Sequence, residues 1–262
     1  SEQSIKQIDT EVAEIDKELN TFTQVFPMQS SYYIEQAELV ERAIHSRVNG
    51  IIIDPVEDSA MKTMIDMAVS KNIPVITIRN DIPSSRRNCF AGSSGTERGK
   101  EMGEHVAQAI QQSGRVLVFT GEIRTDTSKD YIKSLRETLE KSGQIEVTEA
   151  SELNFEYKPS YEIIEKKLTS GPGIKAVVCT QPGTAGIVAR VIESDKNLRN
   201  VLVFASDGDR DTLQYMEKGI IYSATYPRDP DLFKTAITVM KELNEGKTVS
   251  EDHYVGNVRL FY

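Results

Sequence analysis

Residues 50–78 read GIIIDPVEDSAMKTMIDMAVSKNIPVITI, and their reading decides the fold. Gly50 to Ile53 is too short for a helix and apolar on every side. A strand of that kind must be buried on both faces, which is the mark of a parallel sheet. Asp54 and Pro55 end it, because proline donates nothing to a central ladder. Ser59 can cap a helix, and Ala60, Met64, Met67 and Ala68 then recur at helical spacing. Asn72 closes that helix, and Pro74 to Ile78 is a second apolar strand. The stretch is therefore two parallel strands joined by a crossover helix that packs on them.

The same grammar runs outward in both directions. Strands are expected at Phe22–Phe26, Arg115–Thr120 (RVLVFT), Glu146–Ala150, from Ile174 (IKAVVCT), from Val201 (VLVFASD), from Ile220 (IIYSATY) and at Val255–Tyr262. Helices are expected at Tyr33–Arg47, Gly99–Gln112, Lys129–Ser142, Tyr161–Thr169, Gly183–Ser194, Arg210–Lys218 and Asp231–Glu245. This alternation argues for α/β architecture with doubly wound parallel sheets. A change of units near Ser93 to Gly95 suggests a boundary between two lobes. At the start, Ile5, Ile8, Val12, Ile15 and Leu19 form a helical stripe with no strand before it. The expectation is that a first, central strand lies upstream of the numbered chain.

Composition removes several functions. The 262 residues carry a formal net charge of -9, whereas phosphate contacts need clustered Lys and Arg, so nucleic acid is not an expected partner of this chain alone. No window is apolar enough for a membrane span. Cys89 and Cys179 are far apart, form no metal knuckle and read as buried thiols. The glycine-rich GSSGTERGK does not complete a phosphate loop: Ser94 stands where its first glycine belongs, and Glu101 follows Lys100 where Ser or Thr is required. DGDRD from Asp207 starts like a calcium loop but has Thr212 and Lys218 at its glycine and glutamate positions. His45 and His105 fall on expected helices and His253 in an expected loop, so neither a metal site nor a catalytic triad is expected. No cofactor and no enzymatic activity are expected.

In an open α/β sheet, ligands bind beyond the carboxyl ends of the strands. That rule singles out Arg79, Asn80 and Asp81 after PVITI, Glu122 and Arg124 after RVLVFTG with Lys129 at the head of the next helix, Gln181 after AVVCT, Asp207 and Asp209 after VLVFAS, and Arg228 and Asp229 after IIYSATYP. Carboxylates, amides and cations mixed in this way suit a polyhydroxyl ligand, because each hydroxyl both donates and accepts. Asp207 stands out, since it follows a run of apolar and small residues and precedes Gly208. Tyr157, in NFEYKPSY, could stack on a sugar ring.

These residues resemble a known family. VNGIIIDP, NIPVITIRND, FAGSSGTERGKEMGEHVAQAI, GRVLVFTGE, IKAVVCTQPGTAGIVARVI, VLVFASDGDRDTLQYMEKGII and SATYPRDPDLF together look like the type I periplasmic binding proteins. The group is the ribose-binding-like sugar binders, which share their fold with the effector domains of LacI-type repressors. The resemblance implies two doubly wound lobes joined by three crossovers, with the ligand in the cleft between them. It implies a first lobe of residues 1–93 plus 229–255 and a second of 94–228 plus 256–262. Asp207 matches the family aspartate that accepts from sugar hydroxyls, and Gln181 an amide position. Lys129 matches a cationic position, Arg228 replaces a usual Gln, and Tyr157 matches an aromatic position. Arg79 stands where ribose binders tend to place an aspartate, which points away from ribose itself. The implied function is extracytoplasmic capture of a sugar-like molecule for a membrane permease or a sensor kinase, with anchoring through a segment outside these residues. The effector domain of a LacI-type regulator is the alternative.

Overall fold

The computed structural model describes every residue except 1, 29–32, 57, 121, 122, 124, 151–156, 171, 172, 228, 256 and 262; side chains are further left undescribed at 2–5, 58, 150, 157, 227, 229, 254 and 257–261. The chain forms two compact units: Ser1–Ser93, Arg124–Thr127 and Pro227–Gly256 make unit 1, and Ser94–Ile123, Ser128–Tyr226 and Asn257–Tyr262 make unit 2.

Unit 1 holds α1 (Glu2–Leu19), α2 (Tyr33–His45), β1 (Ile51–Ile53), α3 (Asp58–Ser70), β2 (Val75–Ile78) and β3 (Cys89–Gly92). Its later elements are α9 (Asp229–Asn244) and β9 (Asp252–Tyr254). The strands lie in the order β1-β2-β3-β9, all parallel, with Ile51 opposite Val75 and Ile76 opposite Cys89. Side chains alternate between two layers, as the pleat requires. Ile76, Ile78, Cys89 and Ala91 pack under α1 and α9, whereas Ile53 and Val75 pack under α2 and α3.

Unit 2 is built the same way. It holds α4 (Gly95–Ala109), β4 (Ser113–Phe119), α5 (Asp126–Lys141, whose first two residues belong to unit 1), β5 (Gln144–Ala150), α6 (Tyr157–Thr169) and β6 (Ile174–Cys179). Then follow α7 (Thr184–Ser194), β7 (Leu202–Ala205), α8 (Arg210–Glu217), β8 (Ser223–Pro227) and, at its end, β10 (Asn257–Phe261). The strand order is β10-β8-β7-β6-β4-β5, and the pairs from β8 through β5 are parallel. Val116, Val118, Ala176, Val178 and Phe204 enter one core, and Leu117, Phe119, Val177, Cys179 and Val203 the other. The expectation of α/β architecture with parallel sheets, drawn from all-apolar runs, is met in both units.

Four readings need correction. Residues 21–28 carry no strand; Asp16 instead accepts from the Thr21 hydroxyl (2.6 Å) and from the Thr23 amide (2.6 Å), and Phe22 is 90 % exposed. The strand Cys89–Gly92 is missing from the sequence reading because CFAG is a short run between polar segments. Val255–Tyr262 is not one strand, since β9 ends at Tyr254 and β10 begins at Asn257, and His253 lies in β9 rather than in a loop.

Close helix contact in unit 2 depends on Gly99 of α4. A Cβ there would sit 2.3 Å from the Tyr131 carbonyl oxygen and 2.9 Å from the Leu135 nitrogen, both backbone atoms of α5. Gly99→Ala is therefore expected to destabilise by about 1–3 kcal/mol in urea denaturation, despite alanine's better helix propensity. Glu104→Ala, which removes an exposed pair with Lys100, should stay within about 0.5 kcal/mol.

Candidate functional site

The polar groups of each unit gather where its strands end. In unit 2, β6 and β7 are paired in register with Cys179 opposite Ala205. Gln181 and Asp207 each lie two residues beyond that last pair, so they leave neighbouring strands in step. Ser206 ties the two ends together, donating its amide to the Cys179 carbonyl (3.0 Å), while its hydroxyl meets the Tyr131 hydroxyl of α5 (2.8 Å). Arg98 of α4 lies over the Tyr131 ring, 5.2 Å from its centroid.

Asp207 is 8 % exposed. Its Oδ1 accepts from the Thr212 hydroxyl (2.8 Å) and from the Asp209 amide (3.2 Å), while Oδ2 is buried with no hydrogen-bond partner among the described residues. A buried carboxylate oxygen left in this state costs free energy unless something arrives to bond it. Burial, and next to it the charge of Asp209, pushes the Asp207 carboxyl up to about 6; its hydrogen bonds pull only partly the other way. Asp209 itself caps α8, accepting from the Thr212 amide (2.7 Å). Between the two aspartates Gly208 has no room for a side chain: a Cβ would meet the Tyr226 ring at 2.3 Å. Tyr226, on β8, is thereby laid against the Asp207 turn. Gln181 is half-buried, and Lys129 stands exposed in the first turns of α5.

In unit 1 the corresponding groups come from β1 and β2. Asp54 follows β1, and Arg79, Asn80 and Asp81 follow β2. Arg79 Nη1 lies 3.5 Å from Asp54 Oδ2, and its guanidinium sits 5.5 Å from the Phe233 ring centroid. Asn80 donates to Asp54 Oδ1 (2.9 Å) and accepts from the Thr125 hydroxyl (3.1 Å). The Arg79 backbone is left-handed, with φ 55°, a conformation that costs energy in a non-glycine residue and clusters at functional sites.

Asp81 has a different setting. Its Oδ2 accepts from Arg87 Nη2 (2.7 Å) and its Oδ1 from Arg87 Nε, the Thr77 hydroxyl (2.7 Å) and the Ile82 amide (2.8 Å). The Arg87 side chain is only 4 % exposed and also reaches Asp252 Oδ1 at 3.0 Å. This bidentate buried pair holds the loop after β2 against β9. Of the remaining sequence candidates, Tyr157 opens α6 and Asp229 opens α9 with their side chains undescribed, and Glu122, Arg124 and Arg228 lie outside the described residues. Asp54 was read from the sequence only as the end of a strand. The strand-end rule that selected Arg79 applies to it equally. Arg87 carries no sequence signal, because its partner lies six residues back across a turn.

The cysteines are free and buried, and burial pushes the Cys89 thiol up to about 11 and Cys179 well above its usual range. Among the described residues no group of three or more His, Cys, Asp or Glu could hold a metal ion.

Two parallel-sheet units with polar strand ends describe a class of ligand receptor, and sequence comparison agrees. The profile of the periplasmic binding protein domain family matches residues 2–248, and the chain belongs to that family. It is similar to the ribose import binding protein RbsB of Bacillus subtilis (strain 168), at 23 % identity over 219 residues, 83 % of this chain and 70 % of that protein. Among solved structures, the glucose-galactose binding protein GanP of Geobacillus stearothermophilus matches with a TM-score of 0.90 and 21 % identity, covering 98 % of this chain and 91 % of that one. The fructose binding periplasmic domain of the hybrid two component system BT1754 matches with a TM-score of 0.87 and 16 % identity, covering 98 % and 86 %. These structures share the fold.

Two stability effects follow from the geometry. Arg87→Ala leaves the buried Asp81 carboxylate unpaired and is expected to cost about 3–5 kcal/mol. Asp207→Asn removes an ionisation that folding opposes. The folded Asp207 holds its proton more tightly than the unfolded one, so its penalty is absent below about pH 4 and complete above about pH 6. The Asn variant should therefore be more stable than the parent at pH 8, by up to roughly 3 kcal/mol, and equal to it at pH 3.5. Urea melts at the two pH values check this.

Proposed function

We propose that this protein is an extracytoplasmic receptor that captures a sugar or sugar-like molecule and does not alter it. The observation that carries the reading is Asp207, buried at a strand end with one carboxylate oxygen unbonded. A ligand hydroxyl is the donor it lacks, and Gln181, leaving the next strand in step, adds an amide that both donates and accepts. From unit 1, Arg79 and Asn80 are proposed as ligand contacts together with Asp54. Because Arg79 is paired with Asp54, the two present a donor and an acceptor rather than a bare positive charge, which favours hydroxyls over a carboxylate or phosphate. Asp81 is proposed to act by holding the loop that carries Arg79 and Asn80. Lys129, Tyr157 and Arg228 remain proposed contacts by family resemblance.

The family of the chain, the similar ribose import binding protein and the fructose binding periplasmic domain of a two component system support a role in sugar import or in signalling. The proposed partner is accordingly a membrane permease or a sensor kinase. The proposed location is outside the cytoplasm, with attachment to the membrane through residues beyond this sequence.

Calorimetry and thermal shift against neutral aldoses and ketoses, with sugar acids and sugar phosphates alongside, test this reading. A saturable heat and a rise in Tm, with the sugar recovered unchanged, are expected from at least one neutral sugar. Asp207→Ala should lower that affinity by about 100-fold or more while the fold persists. Affinity should also fall as the pH drops below about 6, by at most about tenfold per pH unit, because a neutral carboxyl is a weaker acceptor than the carboxylate. Unchanged binding by Asp207→Ala would overturn the assignment of the site.

A further inference from the structure

The turn that carries Asp207 is held from both faces of the second sheet, and on one face a tyrosine hydroxyl does the holding. Ser206, one residue before Asp207, continues the ladder beyond β7. Its amide donates to the Cys179 carbonyl (3.0 Å), as the Thr180 amide beyond β6 donates to the Phe119 carbonyl (3.1 Å). The Ser206 hydroxyl turns toward α5 and meets the Tyr131 hydroxyl (2.8 Å). Gly208, one residue after Asp207, lies against the Tyr226 ring. Tyr131 belongs to the core that holds Val118, Val178 and Phe204, whereas Tyr226 packs on the opposite core with Ala205 and Ala224. The two neighbours of the carboxylate are thus fixed on different faces, as strand alternation allows.

Tyr131 is itself a fixed point. It is 5 % exposed, the Arg98 guanidinium lies 5.2 Å from its ring centroid, and its backbone carbonyl marks the close approach of α5 to Gly99 of α4. Burial pushes its hydroxyl up, so the group keeps its proton. A phenylalanine would fill the same space without burying a hydroxyl, and a buried hydroxyl costs free energy unless it is bonded. Here that bond goes to the residue that leads into Asp207. The Thr212 hydroxyl and the Asp209 amide hold Asp207 Oδ1 from the side of α8, after the turn. Tyr131 holds the peptide that enters it. We propose that Tyr131 is a positioning residue of the sugar site: acting through Ser206, it fixes the turn that presents Asp207 and keeps the unbonded Oδ2 where a ligand hydroxyl can meet it. The role rests on Asp207 as the sugar acceptor proposed above. Neither the strand-end rule nor helical periodicity selects Tyr131, because it lies inside α5 on the face turned to the sheet.

Tyr131→Phe, Ser206→Ala and the two combined test this. Without ligand, amide hydrogen exchange is read at residue 206 and, as a control, at Leu117 within β4. Calorimetry then gives Kd for D-xylose, D-glucose and D-fructose, an aldopentose, an aldohexose and a ketohexose. Tyr131→Phe is expected to speed exchange at residue 206 by about tenfold and to leave Leu117 unchanged. It should also weaken binding of whichever sugar the parent takes up by about tenfold. Ser206→Ala should weaken binding at least as much, and the combined variant should be no worse than the weaker of the two singles, since both remove one contact. Unchanged exchange at residue 206 overturns the proposal, as does an equal rise at Leu117, which would mark a general loss of stability. So does an unchanged Kd in Tyr131→Phe, or losses that multiply in the combined variant, since Tyr131 would then not act through Ser206. A parent that binds none of the three sugars counts against the sugar reading alone, and exchange at residue 206 then decides whether Tyr131 sets the turn.

Discussion

The constraint on which this protein rests is that its parallel strands are buried on both faces. Val116 to Phe119, Ala176 to Cys179 and Val203 to Ala205 turn alternate side chains into two separate cores, and none of these residues is more than 3 % exposed. Such strands have no side on which to display a polar group. Polar groups are displaced to the points where pairing stops, and Asp54, Arg79, Asn80, Gln181 and Asp207 lie there. The packing that stabilises each sheet also fixes the phase of its ends. Gln181 and Asp207 leave neighbouring strands side by side because Cys179 and Ala205 are locked in register beneath them.

At those ends the molecule carries costs that a simple scaffold would avoid. Asp207 has an unbonded oxygen, crowding by Asp209 and a proton affinity raised toward neutrality. Arg79 has a left-handed backbone without being glycine. Around them the support is complete: Tyr131 meets Ser206, Asp209 caps α8, and Arg87 saturates Asp81. Fully bonded groups around a carboxylate with one unbonded oxygen are the arrangement expected of the proposed binding surface.

Much of this was legible in the sequence, for a physical reason. Runs such as GIIID, AVVC and VLVFA admit few readings other than a doubly buried strand, and the position of Asp207 follows directly from VLVFAS. Short or one-sided patterns were less informative. CFAG is too brief for periodicity to classify it. TFTQVF alternates like a strand, yet Asp16 captures its first residues in side-chain hydrogen bonds, and no neighbour pairs with it among the described residues. The partition among Asp54, Arg79, Asn80 and Asp81 was not legible at all. Which carboxylate takes which cation depends on the juxtaposition of two strand ends and a distant arginine, and no spacing rule encodes that.

The order in which the sheets are closed has a kinetic consequence. β9 completes the first sheet by pairing with β3, and the Ser93 hydroxyl reaches the Val255 carbonyl across 162 residues of chain. β10 extends the second sheet beside β8. Neither sheet is whole until residues 252–261 have left the ribosome, so both units stay open-edged through most of synthesis. Loop closure over such separations slows folding, so partly built sheets with open edges persist while the chain emerges.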